Sequence, residues 1–152
     1  MTLLSVAISA QDFASRFLEE RTDDTNLKCI SISPKMMHEV LKIDVEKGNE
    51  DILDIISNLK SMQMLTANVE GKTYFEQAMD LLDKNNDRFE PFLSFKDKSE
   101  DYQIMVRKKK GSIVELVMLM HDKEHFIVIN FTGIMSDEFI RKMAKSMNAR
   151  RS

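Results

Sequence analysis

The chain has 152 residues, of which 43 % are hydrophobic and 31 % charged, and its formal net charge is −3. That is the length of one ordinary domain with its own core, and the balance is globular rather than disordered. Slight acidity gives no global attraction for nucleic acid. One cysteine, Cys29, excludes an intramolecular disulfide framework and a cysteine-rich zinc site. No apolar run reaches the ~20 residues that cross a bilayer as a helix.

Met1–Ala10 reads MTLLSVAISA, a short apolar run ending in small residues. It resembles the end of a secretory signal cut after Ala10. The positive leading segment is missing, which a start upstream of Met1 would explain. The expectation is a signal remnant at 1–10, a single domain over 11–152, and a periplasmic or secreted protein. Gln11 stands where a lipoprotein would carry cysteine, so no lipid anchor is expected.

Phe13, Phe17 and Leu18 mark one face of a short helix from Gln11 to about Glu20. Lys28 to Ile32 has the β-branched character of a strand, with Cys29 expected to be buried in it. Ser33-Pro34 opens a helix, the serine capping and the proline losing no hydrogen bond. Asn49 starts another, with Ile52, Ile55, Ile56 and Leu59 as its apolar stripe. Met62 to Thr66 alternates as a strand. Glu70-Gly71-Lys72 reads as a turn, and Thr73 with Glu76 as a capping box opening a further helix.

From Phe89 the period becomes two. Strands are predicted over 89–96, 101–108, 112–120 and 125–133, an antiparallel meander. Pro91 assigns the first of them to an edge or a bulge. Val114, Leu116, Met118 and Met120 share one face of the third strand, and Ile113, Glu115, Val117 and Leu119 the other. A strand apolar on both sides lies mid-sheet. Ser136 caps a last helix bearing Phe139, Ile140 and Met143. The fold class is α+β, a mostly antiparallel sheet of five or six strands with helices packed against it.

Twelve methionines and no tryptophan are unusual. Methionine fills irregular cores and adaptable binding surfaces, and core packing explains most of these positions. Met62, Met64, Met118 and Met120 could nonetheless line one sheet face as an apolar ligand pocket. Glu115 is a carboxylate in an apolar strand and needs a partner, for which Arg107 or Lys108 across the hairpin are candidates. Asn130 is a similar case, and the two could line a polar notch. His121 and His125 flank Asp122 and Glu124 in a turn, a solvated arrangement rather than a metal site. The run Arg107–Lys110 is a basic hairpin tip without interleaved aromatics, which suits a protected sheet edge better than a nucleic-acid contact. No nucleophile with a recognisable base and no glycine-rich phosphate cradle occurs, and neither cofactor nor metal is implied.

Four segments carry a resemblance. They are Ile32-Ser33-Pro34-Lys35-Met36, Met62-Gln63-Met64-Leu65, Gly111 to Met118 and Val128 to Ile134. In this order and spacing they resemble the domain-of-unknown-function family numbered 4252, found mainly in secreted or envelope proteins of Bacteroidetes. The resemblance implies a signal peptide and a small α+β fold, and it brings no catalytic residue. The leading expectation is an exported, non-enzymatic interaction module with an envelope protein partner or a second copy of itself, in envelope maintenance or signalling. A carrier of a small apolar ligand comes second, and an enzyme using Glu115 third.

Overall fold

The structure is a computed structural model that describes residues 12–33, 35–36, 39, 59–84, 88–96 and 100–141. The signal reading of 1–10 and most of the helices expected after Ser33 and Asn49 lie outside these residues. Helix α1 (Phe13–Glu19) is followed by strands β1 (Lys28–Ile32) and β2 (Leu59–Ala67), then helix α2 (Gly71–Lys84). Strands β3 (Phe89–Lys96), β4 (Asp101–Lys109), β5 (Ser112–His121) and β6 (Phe126–Met135) complete the sheet. Residues 137–141 are helical. Ser136 caps them as its side chain predicts, the Phe139 amide donating to Oγ at 3.1 Å. Ser33 likewise accepts from the Met36 amide at 3.2 Å.

The six strands run in the order β1-β2-β6-β5-β4-β3, every pair antiparallel. The meander β3–β4–β5–β6 turns tightly where it can. Lys110 (φ 53°) and Gly111 (φ 83°) form the two-residue connection of β4 and β5, and positive φ at both matches the strand twist. β5 and β6 occupy the centre. Pro91 lies on the edge strand β3 at a register shift between Pro91 and Leu93, so both expectations for it hold.

Each sheet face carries its own core. The near face holds Leu65, Ala67, Met105, Val117, Leu119, Phe126 and Val128 against α1 and α2, which contribute Phe13, Phe17, Tyr74, Phe75, Ala78 and Leu82. The far face holds Ile104, Val106, Leu116, Met118 and Phe131, with Phe139 and Ile140 laid over them. Fully burying a phenylalanine or leucine of this kind stabilises by about 1.5–3 kcal/mol.

Four expectations need correction. Ile113 lies in the far core with Leu116, not beside Glu115, because a register shift between Ile113 and Glu115 reverses the alternation. Leu59 begins β2 instead of closing a helical stripe. Helix α2 begins at Gly71, with the Tyr74 amide donating to the Glu70 carbonyl at 3.1 Å, so Thr73 lies inside the first turn and caps nothing. Cys29 is exposed, since β1 is an edge strand with only Ile32 partly covered. Cys29 Sγ lies 3.5 Å from Gln63 Oε1, and partial desolvation raises its thiol above the ordinary range.

Candidate functional site

Glu115 and Asn130 are the buried polar residues of the described chain, both 0 % exposed. Glu115 shares the near face with Val117 and Leu119 by simple alternation, under the start of α1. A helix start leaves amide groups without partners. Here the sheet supplies them: the Phe13 amide donates to Glu115 Oε2 and the Ala14 amide to Asn130 Oδ1, each at 2.8 Å. Asn130 Nδ2 ties the pair together, donating to Glu115 Oε2 and to the Leu116 carbonyl, each at 3.1 Å. Arg107, directly opposite Glu115 in β4, donates from Nε to Glu115 Oε1 at 3.0 Å. Of the two partners expected for Glu115, Arg107 is the one used, and Lys108 instead pairs with Glu90 at 3.0 Å.

The same helix start has a local cap. Asp12 Oδ1 accepts from the Ser15 amide at 2.8 Å, and Gln63 of β2 donates to Asp12 Oδ2 at 2.6 Å and to Ser15 Oγ at 2.9 Å. Three strands therefore hold α1 by its amino end: β2 through Gln63, β6 through Asn130 and β5 through Glu115. No buried side-chain nitrogen or oxygen among the described residues lacks a partner. Chemically the knot is a tertiary helix cap. Both oxygens of Glu115 are occupied by donors, with none aimed at solvent.

The methionines lie on the other side. Met62 pairs with Phe131 and Met64 with Ile129 across β2 and β6. Met118 pairs with Ile129 and Met120 with Ile127 across β5 and β6. Directly paired residues share a face, so all four methionines share the far face. The six residues singled out in the sequence thus divide. Glu115 and Asn130 meet under α1, while Met62, Met64, Met118 and Met120 share the opposite surface. Met118 is buried, and the other three are half-buried.

The histidine turn is locally self-satisfied. Asp122 Oδ1 accepts from the amides of Glu124 and His125 at 2.8 and 2.7 Å, and those bonds hold its carboxyl below the ordinary range. His121 reaches Asp101 at 3.2 Å and its ring lies 4.3 Å from that of Phe75. Among the described residues no group of histidine, cysteine and carboxylate side chains could hold a metal ion.

Sequence reasoning missed a second polar arrangement, an open groove between the end of α1 and the start of α2. It has a volume of about 330 Å³ and is lined by Arg21, Asp24, Glu70, Thr73, Tyr74 and Gln77. The Tyr74 hydroxyl donates to Asp24 Oδ2. Burial, reinforced by that bond and the nearby carboxylates, pushes the Tyr74 phenol up to about 12. The tyrosine in turn holds Asp24 below the ordinary carboxylate range. Arg21 lies over the Phe17 ring at 3.8 Å and donates to Gln77 at 3.0 Å. Tyr74 on a helical apolar face was a signal that some acceptor must lie nearby, but Asp24 is 50 residues away.

No helix among the described residues is long and apolar enough to cross a membrane. No curated protein and no solved structure matches the chain. A family model described as a domain of unknown function, DUF4252, matches residues 20–143, and the chain belongs to that family.

Proposed function

We propose that the protein is an exported, non-enzymatic interaction module of the cell envelope, serving envelope maintenance or signalling through a protein partner. The observation that carries the reading is the apolar border at β1. Ile30 on this edge strand is 55 % exposed and Met36 just beyond it 57 %. Large apolar side chains beside an edge strand favour association, and proteins usually shield such edges. Meanwhile Glu115, the residue weighed for a catalytic role, is engaged together with Asn130 in holding α1. Export rests on the signal-like residues 1–10.

The test is purification of the protein from its own host after cross-linking in intact cells, followed by intact mass measurement. The expected result is a chain beginning at Gln11, cross-linked to an envelope protein, with the yield lowered by Ile30→Lys. A cytosolic chain that keeps Met1–Ala10, or an unchanged cross-link in the Ile30→Lys variant, would overturn the reading. A product containing two copies of this chain would make the partner a homodimer.

A second reading is favoured by the four methionines on one sheet face: a carrier of a small apolar ligand. Native mass spectrometry discriminates. A retained small-molecule mass, lost on Met118→Ala, supports the carrier, and a bare chain removes it.

A further inference from the structure

A guanidinium drawn partly out of water gains stability where an anion meets it. Around Phe13 and Phe89 the chain gathers three. Arg107 on β4 is the strand partner of Phe89, and its side chain is 24 % exposed. Arg88 immediately precedes Phe89. Arg16 lies one turn beyond Phe13, whose ring meets that of Phe89 edge-on at 6.3 Å. All three arginines are half-buried, whereas Lys60, Lys72, Lys84, Lys96 and Lys109 are exposed. The salt bridges among the described residues bring this cluster one carboxylate, Glu115, and Arg107 alone holds it, through Nε. The other Glu115 oxygen is occupied by the Phe13 amide and Asn130. Among the described residues, neither Arg16 nor Arg88 makes a salt bridge of its own. Burial first, and then repulsion from Arg107 and Arg16, hold the Arg88 guanidinium below its ordinary range. The neighbouring basic turn differs in exposure: Lys108, paired with Glu90 at 3.0 Å, Lys109 and Lys110 are all exposed to solvent.

We propose that Arg16, Arg88 and Arg107 form a binding site for a phosphate-type oxyanion, either free or carried as a lipid headgroup. Guanidinium groups present paired donors that fit tetrahedral oxyanions bidentately, which lysine cannot do. Glu115 engages Arg107 through Nε, at 3.0 Å. The proposal is independent of export and of the β1 border, since neither contributes a residue to it.

The experiment is calorimetric titration of the full chain with inorganic phosphate at low ionic strength, with NMR of the arginine Nε–H groups. Saturable binding is expected, with a Kd of about 1 mM or tighter and shifted arginine signals. Arg88→Gln and Arg16→Gln should each weaken it about tenfold or more, while Lys72→Gln on α2 leaves it unchanged. Circular dichroism checks folding, and if Arg88→Gln fails to fold, Arg16→Gln decides. No saturable uptake by the intact protein, or equal uptake by the arginine variants, overturns the site. Vesicles of phosphatidylglycerol and of phosphatidylcholine separate the two sources. Capture by the anionic vesicles that phosphate competes away assigns the lipid headgroup. Phosphate binding without capture assigns the free anion. Capture that survives in the arginine variants overturns the proposal.

Discussion

Glu115 illustrates how one residue can draw a functional reading from sequence and a structural one from its surroundings. A carboxylate between Val114 and Leu116 must find donors. It finds Arg107, the Phe13 amide and Asn130. Replacing Glu115 with Ala leaves these donors unmatched and should destabilise the fold by about 3–5 kcal/mol. Glu115→Gln keeps the shape, loses the charge, and should cost about 2 kcal/mol. Urea denaturation of both variants checks the size and the order. Tyr74 supports a prediction in pH. Its folded-state pKa of about 12 lies above the ordinary phenol value near 10. The folded state then keeps its proton where the unfolded state has lost it. This contribution to stability is complete below pH ~10 and disappears as pH rises through ~12. Asp24 runs the other way: its depressed pKa contributes stability above the ordinary carboxylate range that is lost on acidification. Tyr74→Phe should flatten the alkaline loss, measured as denaturation midpoints between pH 9 and 12 (roughly the titration window).

At the scale of elements, the helices are placed by close contacts that no periodicity encodes. A β-carbon built on Gly71 would stand 2.3 Å from the His125 carbonyl oxygen and 2.6 Å from that of Asp122. The start of α2 thus lies directly on the β5–β6 turn, and no side chain fits between. Gly71→Ala should displace backbone rather than a flexible side chain, costing about 2 kcal/mol or more despite the better helix propensity of alanine. A thermal melt reads the loss, and amide shifts at 122–125 should locate it. At the start of α1, Asp12→Ala removes a local cap worth about 1 kcal/mol and one of the two bonds that Gln63 donates there. Loss of α1 helicity with the sheet signals retained would be the expected spectrum.

Across the whole molecule, burial falls from the middle of the sheet to its margins. β5 and β6 are covered on both faces, while β1 is largely exposed. Native-state hydrogen exchange should therefore be slowest in Leu116–Leu119 and Val128–Phe131 and fastest in Lys28–Ser31. Equal protection of β1 and β6 would mean that β1 is covered by something else, such as a second copy of the chain.

Much of this arrangement was legible in local pattern. Period-two alternation from Phe89 onward reflects strands with two distinct faces, and β3 begins and ends at the predicted residues. Ser136 and Ser33 announced their capping roles because a cap is a contact within three residues. The shared face of Met62, Met64, Met118 and Met120 also followed, since a one-residue register slip would have sent apolar side chains to the wrong side. Tertiary structure decided the rest. The bulge beside Ile113, the seat of α2 on His125, the exposure of Cys29 and the meeting of Glu115 with Phe13 are contacts between distant segments. A side chain's period states which face it joins. What lies on that face depends on which helix end is brought there, and that is settled by packing the whole chain. For Glu115 the partner amide is 102 residues away, and only the folded sheet brings the two together.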